Sequence, residues 1–305
     1  MTLLIKYALI YGVVLLLVAL GGMFSERSGI INIALEGIMV IGALAGVVVL
    51  NMMPKGTSAA VTVIVSIGAS ALAGLVYSFL LAFASINLKA DQTIGGTALN
   101  TLATALAMVV AKNYNASSSA RLSYANASFI FDAGGITMNV FLPIAIVILV
   151  ASYVVLYKTR FGLRLRACGE HPQAADSVGI NVYKMRYCGT LISGVLGGIG
   201  GFAYIIPAVQ VWNFEVGVTG VGFLALAVMI FGQWKPFRIL FAALVFAVFK
   251  SLANIADSTF LAAFHLSNNI YNMMPFIVSM IILAFTSKNS RAPKAEGIPY
   301  DKGQR

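Results

Sequence analysis

The sequence predicts an all-α protein: a polytopic transmembrane helical bundle of about 8 to 10 spanning helices, some of them discontinuous. Three observations predict it. Of 305 residues, 60% are hydrophobic and 10% charged, with a mean hydropathy of +0.92, whereas an average soluble domain is about 25% charged. The apolar residues fall in runs near the length of one bilayer crossing, and the basic residues gather in a few segments between them. A soluble enzyme, a disordered chain and a disulfide scaffold are excluded, and no room is left for a sizeable aqueous domain.

Leu3–Phe24 is the first run. It lacks a small-residue cleavage site, so it reads as a retained span rather than a removed signal peptide. Runs follow at Ile30–Met53, Ser58–Leu88, Ile94–Ala111, Met138–Tyr157, Met185–Ala208, Val218–Phe231, Phe237–Ala256 and Asn269–Thr286. The run from Ser58 exceeds one crossing, so it is either a tilted helix or broken at Gly68 or Gly74. That from Val218 is shorter than a crossing and reads as a half-helix or re-entrant piece, which survives in a membrane only where protein or a water-filled cavity satisfies its backbone.

The net charge of +10 comes from residues scattered between spans, which argues for topology signals and against nucleic acid. Lys158, Arg160, Arg164, Arg166, Lys184 and Arg186 make the segment at about 158–184 cytoplasmic. Lys288, Arg291, Lys294, Lys302 and Arg305 do the same for the tail, 287–305. Four crossings between them agree. Asn113–Thr137, rich in Ser, Asn and Ala, falls outside. The side of the N-terminus stays open, because breaks near Ser25 and Gly68 would each change the parity. Cys168 and Cys188 flank the basic loop and read as reduced thiols.

Two polar islands interrupt the runs. In Ser25-Glu26-Arg27-Ser28-Gly29-Ile30-Ile31-Asn32-Ile33-Ala34-Leu35-Glu36-Gly37, Glu26 and Arg27 can neutralise each other, and the i, i+4 spacing of Asn32 and Glu36 places them on one helical face. An ionisable group at depth costs a few kcal/mol and marks an internal path; an interfacial Glu36 that helps helices pack is the other reading. The second island, Lys89 to Asn100, carries Gln92 and Asn100, whose amides supply donors and acceptors for a neutral polar solute. Its Thr93, Gly95 and Gly96 equally suit close helix packing.

No P-loop occurs, so this chain does not itself bind ATP through one. Gly198-Ile199-Gly200-Gly201-Phe202-Ala203 lies inside a spanning run and reads as helix packing, not dinucleotide binding. His171 and His265 lack partners at metal spacing, and no nucleophile has an adjacent base, so neither a metal site nor catalysis is expected.

In the basic loop, Gly169-Glu170-His171-Pro172-Gln173-Ala174-Ala175-Asp176-Ser177-Val178-Gly179-Ile180 reads as a short helix with Pro172 in its first turn, Ala174 and Ala175 on a small face, and Gly179 at its end. This stretch resembles the coupling loop of permease subunits in ABC importers of the ribose and branched-chain amino acid class. The two islands, with Gly222-Phe223-Leu224-Ala225-Leu226-Ala227-Val228-Met229-Ile230-Phe231-Gly232-Gln233-Trp234-Lys235-Pro236, are most similar to its nucleoside-importing branch.

The resemblance implies a single permease domain over 1–305 in a bacterial inner membrane, with no enzymatic activity and no cofactor. It further implies a second permease subunit, a separate ATP-binding subunit, and an extracytoplasmic solute-binding protein or lipoprotein. Asn32, Glu36, Gln92 and Asn100 are then expected along the translocation path. Gly169, Glu170, Ala174, Ala175 and Gly179 are expected to couple to the ATPase. A sugar or branched-chain amino acid permease, or a proton-coupled secondary transporter using Glu36, are the alternatives.

Overall fold

The computed structural model describes residues 2–54, 56–115, 119–133, 136–255, 268–286 and 292–303. Lys288, Arg291, Arg305 and His265 lie outside them. Among the described residues every apolar run is a helix. They are α1 (Thr2–Arg27), α2 (Leu35–Met52), α3 (Ala59–Ile86), α4 (Gln92–Tyr114) and α5 (Phe141–Lys158). After α6 (Arg160–Glu170) and α7 (Pro172–Ser177) come α8 (Val182–Ile205), α9 (Val221–Phe231), α10 (Pro236–Asn254) and α11 (Asn268–Thr286). Among the described residues, seven helices, α1 to α5, α8 and α10, are long and apolar enough to cross a membrane.

α3 is unbroken at Gly68 and Gly74. Its 28 residues span about 42 Å, so it must tilt in a hydrocarbon layer of about 30 Å. By contrast α9 has 11 residues, about 16 Å, and is the half-helix that the short run from Val218 predicts. It starts after Gly217, Thr219 and Gly220, all with positive φ.

α8 lies between α1, α2 and α3. Its glycines permit this. A Cβ on Gly201 would sit 2.0 Å from the Met39 carbonyl oxygen, and one on Gly198 2.4 Å from that of Ser70. Ser70 Oγ is 2.8 Å from both the Gly42 and Gly198 carbonyls, joining α2, α3 and α8. The glycine-rich stretch is therefore a packing seam.

The bundle has two distinct ends. At one, β1 (Arg121–Ser123) pairs antiparallel with β4 (Val211–Asn213), beside a hairpin of β2 (Ile130–Ala133) and β3 (Ile136–Asn139). These small ribbons were not expected of the polar loop; alternation seats Leu122 inward between exposed Arg121 and Ser123. Asn51 donates to the Ser123 carbonyl here, and Lys6 lines a cleft with Ile130 and Met138. The opposite end holds Arg27, α6, α7 and the tail, where Ala295 N–H donates to the Gly169 carbonyl at 2.8 Å. Both basic stretches thus share one end, and because α1 runs unbroken through Ser25 and α3 through Gly68 the N-terminus lies at the other, settling the parity left open by the sequence.

Candidate functional site

Between α1 and α2 the chain runs without helix from Ser28 to Ala34. Gly29, at φ +99°, turns α1 off, and the β-branched Ile30, Ile31 and Ile33 resist helix locally. Backbone freed inside a membrane protein must find partners. α4 supplies them. Gln92 Oε1 accepts from Ile31 N–H at 2.7 Å. Asn100 Nδ2 donates to the Ile33 carbonyl at 2.9 Å while its Oδ1 accepts from Gly37 N–H at 2.8 Å, capping the start of α2.

Glu36 continues the pattern in the other direction. Its Oε1 accepts from Gly220 N–H and its Oε2 from Gly222 N–H, both at 2.7 Å, so a carboxylate of α2 caps the start of α9. Negative charge at a helix N-terminus also meets the favourable end of the helix dipole. Gly222 is required for the approach, since a Cβ there would lie 2.6 Å from the Glu36 backbone.

The structure departs from the sequence reading at two points, Asn32 and the Glu26–Arg27 pair, and gives Asn100 backbone partners. Asn32 precedes α2, so it shares no helical face with Glu36; it reaches α8 instead, with Nδ2 donating to Ser193 Oγ at 2.8 Å. The amide of Asn100 is committed to backbone at both ends. And Glu26 and Arg27 do not pair with each other. Glu26 Oε2 accepts from Trp234 Nε1 at 2.6 Å, whereas Arg27 donates to the Trp234 carbonyl and pairs with Glu170 at 3.7 Å. Two buried polar atoms at the break have no hydrogen-bond partner among the described residues: Asn32 Oδ1 and Gln92 Nε2.

In the basic loop, Thr159 caps α6 by accepting from Gly162 N–H, and Pro172 opens the six-residue α7. Gly179, at φ +81°, follows its end. The expected small face splits. Ala175 is buried against Cys168, Val182 and Tyr300, while Ala174, one residue earlier on a helix that turns about 100° per residue, is exposed. Gly169 also faces inward, where a Cβ would meet the Arg27 carbonyl oxygen at 2.4 Å. The outward surface is Gln173, Ala174, Ser177, Val178 and Gly179.

Sequence reasoning missed Trp234, Arg186 and the tail as parts of this end. Arg186 counted only as a topology charge, yet it is buried, with Nη1 donating to the Ile298 carbonyl at 2.9 Å. Gln233 and Trp234 both hold φ of +52°, a conformation uncommon for non-glycine residues that their identity does not announce.

Discontinuous helices whose starts meet inside the bundle, capped by polar side chains from neighbouring spans, define a multi-pass membrane transport component. The chain belongs to the family described as the permease component of branched-chain amino acid transport systems, which matches residues 4–284. It is 40% identical to the nucleoside ABC transporter permease protein NupC of Lactococcus lactis, across 97% of this chain and 96% of that one. With the guanosine ABC transporter permease protein NupQ of Bacillus subtilis it shares 38% identity, across 100% of this chain and 98% of the relative. NupB of L. lactis, also a nucleoside ABC transporter permease protein, is 32% identical over 45% of this chain and 39% of its own length. No solved structure matches.

Proposed function

We propose that this chain is a permease subunit of an ATP-driven nucleoside importer in the bacterial inner membrane. It works with a second permease, an ATP-binding subunit and an extracytoplasmic solute-binding protein. The observation that carries the substrate class is the end-to-end similarity to NupC and NupQ, both nucleoside or guanosine permeases by name. The site's chemistry supports a neutral solute: Glu36 spends both oxygens on backbone amides, and the polar atoms left idle at the break belong to amides.

Asn32, Glu36, Gln92 and Asn100 border the translocation path in this reading. α4 turns Thr93, Thr97 and Thr101 outward, uncovered by the rest of the chain. Thr97 and Thr101 donate to carbonyls of their own helix, and a face of such small side chains suits close packing against a second permease. α6 and α7 couple to the ATPase, with Glu170, Ala174 and Gly179 toward the partner and Gly169 and Ala175 seating the loop on the bundle. The test is uptake by the purified four-component complex in liposomes. ATP-dependent accumulation of labelled guanosine, adenosine or uridine is expected; accumulation of glucose or leucine instead would reassign the substrate.

A further inference from the structure

The tail segment after α11 is built into the end of the bundle that carries α6 and α7. Ala295 N–H donates to the Gly169 carbonyl at 2.8 Å, at the last turn of α6. Two residues on, Gly297 N–H donates to the Gly29 carbonyl at 3.2 Å, at the α1–α2 break. Gly297 holds φ +76°, and a Cβ there would press on Ile31 Cδ1 at 2.9 Å. Arg186, near the start of α8, donates to the Ile298 carbonyl, and the Tyr183 and Tyr300 rings meet edge to face at 5.4 Å. Asp301 then pairs with Lys89 at 2.7 Å, just before α4. A stretch of seven residues, Ala295 to Asp301, therefore touches the coupling loop, the break, α8 and the entry to α4.

Arg186 is 1% exposed, and its Nε and Nη2 have no hydrogen-bond partner among the described residues. Leaving buried donors idle costs about 1–3 kcal/mol each. Nη2 lies against Gly29, 2.9 Å from where its Cβ would be, and the Ala295 carbonyl oxygen lies 3.3 Å from the same point. Arg186 thus holds unused donors beside a tail that it already binds through the Ile298 carbonyl, so movement of the tail must break or exchange that bond.

We infer that Ala295–Asp301 is a strap that transmits movement of the coupling loop to the α1–α2 break, with Arg186 as the positioning residue that latches it. The inference rests on the importer reading above. The strap adds a hydrogen-bonded link to the direct packing of Gly169 on Arg27 and Gly29, and displacement of Gly169 is so passed to the segment that holds Asn32 and receives Gln92 from α4.

The experiment uses the reconstituted complex and reads labelled guanosine moved per ATP hydrolysed. Uptake by the wild-type complex is read first, and it alone judges the nucleoside assignment. Truncation after Ser290 is expected to leave ATP hydrolysis running while solute moved per ATP falls roughly tenfold. Arg186→Met should fall similarly, Arg186→Lys should recover most of it, and Arg186→Met in the truncated chain should add nothing, because both act through one element. If truncation prevents assembly, Gly297→Val takes its place, straining the strap against Ile31 after the last span is already made. A truncated or Gly297→Val complex with the wild-type ratio overturns the strap. Additive losses from Arg186→Met and truncation overturn the latch.

Discussion

The Glu36 carboxylate and the Gly222 amide, 186 residues apart in the chain, meet at 2.7 Å. With Asn100 on Gly37, this makes a relay of caps in which α4 holds the start of α2 and α2 holds the start of α9. Each cap satisfies an N–H that neither lipid nor the helix itself can serve.

Glu36→Gln keeps one acceptor and turns an NH2 toward the other amide; Glu36→Ala loses both. At about 1–3 kcal/mol per orphaned buried donor, thermal stability of the detergent-solubilised protein should fall in the order wild type, Glu36→Gln, Glu36→Ala. Equal melting temperatures would mean that α9 does not depend on this cap.

Asn100 is bound at both amide atoms, so its variants should separate. Asn100→Asp keeps the acceptor for Gly37 N–H and loses the donor for the Ile33 carbonyl, and Asn100→Leu loses both. Uptake and stability should decline together, more in Asn100→Leu. Uptake lost at unchanged stability would assign Asn100 to solute contact instead.

The glycine seam gives a contrast within one experiment. Gly201→Ala and Gly42→Ala place a methyl 2.0 Å from the Met39 carbonyl oxygen and 2.4 Å from the Gly198 Cα, whereas Gly68 and Gly95 face open space. Overpacking costs about 1–3 kcal/mol or more. The first pair should lower the yield of monodisperse protein in size-exclusion profiles, while Gly68→Ala and Gly95→Ala should match or exceed the parent.

Docking of the strap should depend on pH through Glu296. Burial, the largest influence, pushes its carboxyl above the ordinary 4.5, against the pull of the Glu26 hydrogen bond and the Arg27 charge. A raised value in the docked state favours the protonated form. Docking is then firmest below 4.5, weakens as pH climbs from 4.5 through the raised value, and is level beyond it. Protection of the Ala295 and Gly297 amides, corrected for the intrinsic rise of exchange with pH, should fall over that window, and Glu296→Gln should reduce that fall and raise protection at neutral pH.

Single cysteines at Ser119 and Lys302, at opposite ends of the bundle, test sidedness. An impermeant thiol reagent should label Ser119→Cys in intact cells and Lys302→Cys only after permeabilisation. The reverse pattern would invert the molecule.

Several elements were legible in the residues themselves. The apolar runs located every described spanning helix to within a few residues, because transfer of a side chain into hydrocarbon is a local free energy that a window of sequence can sum. Brevity marked α9 as a half-helix, and Pro172 and Gly179 bracketed α7, since proline and glycine act on their own backbone. Asn32 and Glu36 were misplaced onto one helical face for a related reason: spacing assumes a helix, and whether Ile30 to Ala34 joined it depended on acceptors and donors offered from α4.

What the sequence by itself determined is the class of molecule, its crossings, and where basic charge gathers, all sums over neighbouring residues. Only the tertiary structure decided that Asn100 and Glu36 cap helices, that the α8 glycines form a seam, and that the tail lies across Gly29 and Gly169. Those are pairings between segments distant in the chain. Their strength comes from distance and direction, a hydrogen bond being lost within about an ångström, and no local property of Glu36 specifies that Gly222 will stand opposite it.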